Sequence, residues 1–179
     1  NIELQAEYNP GDPPLKACPF KEGDKVIHIK NVYDMRGQQV MNGMAGIVTW
    51  IASASEEQIL MAKRAERGDD EMPVIMRVLF DGEDAETTYT RHELEYLKLA
   101  YALTIHKVQG SEYPYVIMMV PQTRDTFMMR QLAYTGLTRA KKRCVIISAQ
   151  SALQAYVQNE ERVRRVTFLA DMAQEIAIV

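Results

Sequence analysis

The stretch LAYTGLTRAKKRCVIIS, residues 132–148, passes from an apolar helical pattern through four basic residues into a run of β-branched side chains. With the residues before it, Met128, Leu132 and Thr135 recur at helical spacing, which predicts an amphipathic helix over 124–142. The run CVIIS then predicts a strand over 144–148. A helix that leads directly into a buried strand is typical of an α/β layer.

Two apolar runs precede this stretch and extend the same pattern. LKLAYALTI (97–105) and YVIMMVP (115–121) are almost continuously apolar, as in strands that are covered on both faces. From Ser151 the pattern is helical again. Strand, loop, strand, helix, strand and helix in this order predict a parallel sheet layer over residues 98–179.

The N-terminal half has a different pattern, with short strands separated by turns. DKVIHIKNVYD (24–34) alternates at a period of two, and further strands are predicted over 46–51, 74–82 and 86–90. Without a long helical crossover, this order predicts a small antiparallel barrel over residues 20–97. The fold class is therefore α/β, a partial parallel layer with an antiparallel barrel inserted before it.

Two helices are predicted in this half. IELQAEY (2–8) is helical until NPGDPP (9–14) stops it. Residues 53–72 form a helical insertion in the barrel, because Ser53 or Ser55 can open a capping box and Gly68 can end the helix.

Composition narrows the class of protein. Of the 179 residues, 47% are hydrophobic and 25% charged, as in a soluble globular protein. Cys18 and Cys144 are interpreted as reduced thiols, no metal site is predicted, and neither a signal peptide nor a membrane span is visible. A cytoplasmic protein is expected, and the absence of a starting methionine suggests a fragment of a longer one.

Charge is unevenly distributed along the chain. Residues 1–98 carry a net charge of −7 and residues 99–179 one of +4, within an overall −3. The overall charge argues against non-specific binding of polyanions, whereas the C-terminal half can present a basic face. Solvated helix faces would explain the same charges.

The loop TIHKVQGSE (104–112) is the first candidate site. It places a hydroxyl, an imidazole, an ammonium, an amide and a carboxylate around Gly110, after a predicted parallel strand. Such loops bind ligands in parallel sheets, and a glycine lets backbone amides approach an anion. An ordinary polar loop is the alternative.

The second candidate lies within the opening stretch. Thr135, Thr138 and Arg139 share a helix face by spacing, and a guanidinium there can reach a phosphate. Alternatively, Arg139 and the cluster 141–143 stabilise the negative end of the helix. The chain contains no G-x-x-x-x-G-K-[ST] loop, so it can supply only half of an ATP site.

These segments resemble a known family. YALTIHKVQGSEYPYVIM (101–118) resembles motif V, and LAYTGLTRAKKRCVII (132–147) resembles motif VI, of superfamily 1 DNA helicases, with the closest likeness to the RecD-like branch. The region around the start of that branch's SH3-like barrel is similar to three segments: LQAEYNP (4–10), FKEGDKVIHIKNVYD (20–34) and VMNGMAGIV (40–48). Residues 152–172 resemble the closing helix of that branch. The resemblance covers most of the chain.

The resemblance implies an ATP-dependent DNA helicase of repair or recombination. It would move 5′ to 3′ on single-stranded DNA and unwind duplex junctions. Residues 1–19 would end a preceding RecA-like segment, 20–97 would be the barrel, and 98–179 the domain with motifs V and VI. ATP and Mg²⁺ would be held mainly by the N-terminal RecA-like domain of the same protein, so the isolated chain is expected to be inactive.

The resemblance also implies residue roles. Arg139 would be an arginine finger on the γ-phosphate, positioned by Tyr134 and Thr138. The other roles would be nucleotide binding by Gln109, Gly110 and Glu112, with Glu112 near the ribose, and DNA binding by Thr104, His106 and Lys107.

Two alternatives stay open. The chain could be the helicase portion of a conjugative relaxase, or a non-catalytic module that binds DNA or protein. Against the second, Gln109, Gly110, Glu112 and Arg139 are all present, although a degenerate site would lose some of them.

Overall fold

The computed structural model describes residues 1–15, 18–68, 71–121 and 130–158. The chain divides into two compact units, Asn1–Lys107 and Val108–Val179. Unit 1 contains α1 (Ile2–Tyr8), β1 (Lys25–His28), β2 (Val32–Met35), β3 (Gln38–Val40), β4 (Ala45–Ile51), α2 (Ala54–Arg67), β5 (Val74–Phe80), β6 (Thr87–Thr90) and β7 (Leu97–Leu99). Unit 2 contains β8 (Tyr113–Val120), α3 (Arg130–Leu137), β9 (Ala140–Ser148) and α4 (Gln150–Gln158). The predicted domain boundaries stay predictions.

Unit 1 is built on a five-stranded antiparallel sheet with the strand order β6-β5-β4-β1-β7. The predicted antiparallel strands are confirmed, with one correction. The segment 24–34 is two strands, β1 and β2, and β2 pairs with β3 in a separate hairpin. The break lies at residues 29–31, where the Ile29 N–H donates to the Tyr96 carbonyl and Asn31 Oδ1 accepts from the Asn42 N–H, both at 2.8 Å.

Unit 1 is built around an apolar core. A short 3₁₀ helix, His92–Tyr96, joins the two edge strands β6 and β7. So short a connection favours a bent sheet, because the edge strands of a flat five-stranded sheet lie about 19 Å apart. The core is the buried apolar cluster that includes Val26, Val48, Met76, Phe80 and Tyr89. A closed SH3-like barrel stays a prediction.

The predicted helical insertion is confirmed as α2. The Ser53 hydroxyl accepts a hydrogen bond from the Glu56 N–H, the Glu56 carboxylate accepts one from the Ser53 N–H, and Gly68 ends the helix in a left-handed conformation. This backbone hydrogen bond, with one from the Ser53 hydroxyl, lowers the pKa of Glu56. No residue of α2 is buried. The Glu57 carboxylate links α2 to the end of β6, because it accepts two hydrogen bonds from Arg91.

The strand predicted over 97–105 is wrong. Only β7 forms, and it pairs antiparallel with β1 in unit 1 instead of joining a parallel layer. Leu97 is buried and Lys98 exposed, so the burial alternates as in a strand with one covered face. Beyond Leu99, the Ala100 N–H donates to the Lys25 carbonyl at 2.8 Å, and the chain then leaves the ladder.

Unit 2 confirms a parallel α/β arrangement. β8 and β9 pair in parallel from Tyr113↔Ala140 to Val120↔Ser148. One face of the pair leaves Ile117 and Met119 exposed, whereas Met118 and Val120 on the other face are buried. In the part of the chain described, no helix has the length and apolar character needed to cross a membrane.

The helix predicted over 124–142 needs a correction at its C-terminal end. α3 ends at Leu137, and the basic cluster 141–143 lies in β9. The ladder to β8, in which Arg143 pairs with Tyr115, outweighs the helix propensity of Ala-Lys-Lys-Arg. The interpretation of this cluster as a helix C-terminus is therefore wrong. Residues 122–129 and 159–179, and with them part of this helix and most of the expected closing helix, lie outside the described residues.

Candidate functional site

Arg139 lies in the short connection between α3 and β9, half-buried. Its Nη1 donates to the Ser111 carbonyl at 3.1 Å, and its Nε to the Thr135 carbonyl at 3.2 Å. Its Nη2 donates to the Thr138 hydroxyl at 3.3 Å. All three acceptors are neutral oxygens. Within the described residues no carboxylate pairs with Arg139, so its charge is not compensated by an acidic partner.

Two further contacts join the N-terminal ends of β8 and β9 and the residues just before them. The Tyr113 N–H donates to the Arg139 carbonyl at 2.8 Å, which begins the parallel ladder. Lys141 Nζ lies 3.0 Å from Glu112 Oε2, and both side chains are more than half exposed. The loop before β8 and the residue before β9 are therefore held together by backbone and side-chain bonds.

Gly110 gives this loop its shape. It has φ +87, and the Ser111 N–H closes a turn onto the Val108 carbonyl at 3.1 Å. A residue with a side chain is strained at such a φ, whereas glycine adopts it freely. Nothing lies within 4 Å of the position that a Cβ would take, so the requirement is conformational rather than steric. Gln109 and Glu112 on either side are exposed.

The structure brings together some of the predicted residues. Glu112, Thr138 and Arg139 lie at one end of the β8–β9 pair, and Gly110 shapes the loop beside them. Tyr134 lies on α3 and is 68% exposed, and its carbonyl accepts a hydrogen bond from the Thr138 N–H at 2.9 Å. The positioning of Arg139 by Tyr134 and Thr138 stays a prediction.

The predicted DNA-binding residues lie at the end of unit 1. Thr104, His106 and Lys107 are all exposed. Residues Ile105–Val108 form a 3₁₀ turn, in which the Lys107 N–H donates to the Thr104 carbonyl at 3.0 Å. This turn places a hydroxyl, an imidazole and an ammonium within four residues on an exposed segment.

Sequence reasoning missed two members of this region. Ser111 contributes a backbone carbonyl, which no residue-type pattern can reveal. The sequence pattern predicts Lys141 at the end of a helix. Its pairing with Glu112 follows from the parallel register of β8 and β9, in which Tyr113 faces Ala140.

Three arginines of unit 1 differ from Arg139 because they have acidic partners. Arg36 pairs with Glu93 at 2.8 Å, Arg91 with Glu57 at 2.6 Å and Arg77 with Glu86 at 3.7 Å. Arg77 also lies over the Trp50 ring, at 5.2 Å from its centroid. Carboxylates of unit 1 thus compensate the charge of these three arginines.

Comparisons with known proteins place the chain in a family. Residues 99–147 match the UvrD-like helicase C-terminal domain. The ATP-dependent RecD2 DNA helicase of Deinococcus radiodurans is 32% identical over 171 residues, which cover 94% of this chain and 20% of that protein. The RecBCD enzyme subunit RecD of Mycobacterium tuberculosis is 28% identical over 147 residues, 82% of this chain and 21% of that protein. The predicted resemblance to RecD-like superfamily 1 helicases is confirmed.

The RecD-like chain spans about a fifth of the length of these relatives. Among solved structures, a Pif1 helicase from Bacteroides in complex with ADP-AlF3 and ssDNA matches with a TM-score of 0.44 and 19% identity, over 88% of this chain and 34% of that one.

Proposed function

We propose that this chain is the part of an ATP-dependent DNA helicase that completes the ATP site with an arginine and contacts single-stranded DNA. Arg139 carries the proposal, because it is a half-buried arginine whose hydrogen bonds within the described residues all go to neutral oxygens. Family membership and the position of Arg139 between α3 and β9 support the same role.

The chemistry of Arg139 suits a polyphosphate. A guanidinium keeps its charge and offers several N–H donors, so it can stabilise the charge that spreads over the γ-phosphoryl oxygens during hydrolysis. To do so, it would exchange the Ser111 and Thr138 acceptors for phosphate oxygens. Hydrogen bonds to phosphate are charge-assisted on both sides and are stronger than those to neutral oxygens, so the exchange is favourable.

The loop 109–112 would bind the rest of the nucleotide. Gly110 lets backbone amides approach an anion, and the exposed Glu112 carboxylate can accept hydrogen bonds from ribose hydroxyls. Mg²⁺ does not fit this chain in the same way. Among the described residues, no three acidic, histidine or cysteine side chains gather into a metal site. The P-loop and the Mg²⁺ ligands would come from an N-terminal RecA-like domain of the same protein.

The segment 104–107 would contact the DNA. Hydroxyl, imidazole and ammonium groups all donate to phosphate oxygens, which is how proteins hold a nucleic-acid backbone without reading its sequence. Arg36, Arg77 and Arg91 of unit 1 have acidic partners, so these side chains have less to offer a polyanion. We propose movement 5′ to 3′, which unwinding of 5′-tailed and 3′-tailed duplexes can check. The SH3-like barrel and a cytoplasmic location remain part of the proposal.

The test of the ATP role is Arg139→Ala in the intact protein. Loss of an arginine finger lowers kcat by about 1,000-fold or more, and ATP affinity should fall much less. Arg143→Ala, an exposed arginine on β9, is the matched control and should keep normal turnover. Normal turnover in Arg139→Ala would refute the finger assignment. The isolated chain should not hydrolyse ATP.

A further inference from the structure

Asp24, at the start of β1, is a completely buried carboxylate with four hydrogen-bond donors. Its Oδ1 accepts from Asn9 Nδ2 at 2.7 Å and from the Tyr101 hydroxyl at 2.8 Å. Its Oδ2 accepts from Gln5 Nε2 and from the Lys21 N–H at 2.8 Å. A buried carboxylate is tolerated only when it is hydrogen-bonded, and here both oxygens are fully used.

The four donors come from three separate parts of the chain. Gln5 and Asn9 belong to α1 and its C-terminal cap, Lys21 precedes β1, and Tyr101 follows β7, 77 residues after Asp24. Lys21 is itself buried, and its ammonium donates to the Asn9 and Gly11 carbonyls. Asp24 therefore ties the first helix, the entrance to the sheet and the segment after the sheet to one point.

The segment after β7 is held by its backbone as well. The Ala102 N–H donates to Asn1 Oδ1 at 2.8 Å, and Asn1 Nδ2 donates to the Ala102 carbonyl at 2.9 Å. The Ala100 N–H donates to the Lys25 carbonyl. Residues 100–102 are thus fixed from two sides, and Thr104 follows after only one further residue.

We propose that Asp24 is a positioning residue for the DNA-contacting segment 104–107, acting through the Tyr101 hydroxyl. The proposal rests on the proposed function, because it takes that segment as the contact to the DNA backbone. Ordering a loop residue costs backbone conformational entropy. An anchor three residues upstream of Thr104 restricts the segment in the protein without DNA, so less entropy is lost when DNA binds. A pre-organised site of this kind binds more tightly.

The experiment is Tyr101→Phe in the intact protein, which removes only the hydroxyl. Affinity for an oligo-dT single strand should fall several-fold, whereas ATP affinity without DNA and the melting temperature should stay close to wild type. Tyr8→Phe is the matched control, since Tyr8 lies on α1 with 73% exposure. Asp24→Asn should weaken DNA binding further, because an amide has one acceptor oxygen where four donors converge.

Three results would overturn the proposal. If Tyr101→Phe leaves DNA affinity unchanged while Lys107→Ala weakens it, the DNA contact stands and the positioning role fails. The positioning role also fails if Tyr101→Phe weakens DNA binding and ATP binding equally, because a general structural defect would have that effect. If Thr104→Ala and Lys107→Ala both leave DNA affinity unchanged, the proposed DNA contact fails, and the positioning role fails with it.

Discussion

The Arg139 guanidinium donates to the Ser111 carbonyl at 3.1 Å and thereby joins the residue before β9 to the loop before β8. The two residues are 28 positions apart in the chain, and the parallel pairing of β8 with β9 makes them neighbours. The Tyr113 N–H also donates to the Arg139 carbonyl at 2.8 Å, so the two segments are expected to stay joined through their backbones when the guanidinium exchanges the Ser111 carbonyl for a phosphate oxygen.

This arrangement predicts that Arg139→Lys will not rescue ATP hydrolysis. A lysine keeps the charge but offers one ammonium nitrogen, which cannot make the parallel hydrogen bonds to two phosphate oxygens that the planar fork of a guanidinium makes. We expect kcat at least about 100-fold below wild type, most of the loss seen with alanine. Steady-state ATPase assays check this, with Arg143→Lys as control. Activity near wild type would mean that charge alone suffices.

The Glu112–Lys141 pair predicts a different outcome for each partner. Both side chains are more than half exposed, so the ion pair should contribute less than about 1 kcal/mol to stability. We expect Lys141→Ala to leave the free energy of unfolding and the nucleotide affinity near wild type. Glu112→Gln should lower nucleotide affinity several-fold, because the carboxylate itself would accept the ribose hydroxyls. Equal losses in both variants, measured by nucleotide titration, would assign the effect to the ion pair instead.

Helices whose ends depend on a few neighbouring residues could be predicted from the sequence. The Ser53 cap with Glu56 and the Gly68 stop place α2 within one residue at its start, and the proline-rich segment after Tyr8 marks the end of α1. The apolar runs of β8 and β9 correctly predict two parallel strands. The expectation that both faces are covered is wrong for the described residues, since Ile117 and Met119 on β8 and Ile147 on β9 are more than half exposed.

Long-range pairing explains the errors. Leu97–Leu99 joins β1, some 70 residues earlier in the chain, and the ladder between β8 and β9 takes Lys141 out of the helix. The periodicity of a short stretch of sequence contains no information about strand partners so far away along the chain. The Asp24 cluster was missed for the same reason, since its donor Tyr101 is 77 residues away. Arg139, in contrast, was assigned by resemblance, and its role stays a prediction.

Close approach of two strands predicts that Gly46→Ala is destabilising. A Cβ on Gly46 would lie 2.4 Å from the Leu79 carbonyl oxygen and 2.8 Å from Phe80 Cα, both of them backbone atoms of β5. Relief requires the strands to separate, which we expect to lower the free energy of unfolding by about 1–3 kcal/mol. Gly82→Ala, with open space around it but φ +87, should be destabilising by less, about 1 kcal/mol. Urea unfolding of both variants gives the comparison. An equal or smaller loss in Gly46→Ala would contradict the steric explanation.

The attachment of α2 predicts a local effect of Glu57→Gln. No residue of α2 is buried, and the Glu57 carboxylate holds Arg91 through bonds of 2.6 and 2.7 Å. Removal of the charge weakens both bonds and should let α2 open locally without unfolding the sheet. Trypsin should then cleave several-fold faster after Lys63, Arg64 and Arg67. Glu66→Gln, at an exposed position on the same helix, is the control. If both variants are cleaved at the same rate as wild type, the ion pair is not the anchor.

Burial of His28 predicts that stability depends on pH. The ring is fully buried between Phe80, Tyr89 and Tyr96, with no hydrogen-bond partner for either nitrogen in the described part of the chain. Burial lowers the pKa of His28 below its usual value near 6.5. In the folded state His28 is therefore neutral at pH values at which the unfolded chain already binds a proton.

Stability is therefore fully present above about pH 6.5 and is lost as the pH falls toward the folded-state pKa, because protons favour the unfolded chain. In His28→Phe this loss should disappear, since phenylalanine keeps an aromatic ring in the same core and cannot titrate. The measurement is the free energy of unfolding in urea between pH 7.5 and 5.5. His92→Gln, at an exposed position, should retain the wild-type slope. If His28→Phe keeps that slope as well, other groups cause the pH dependence.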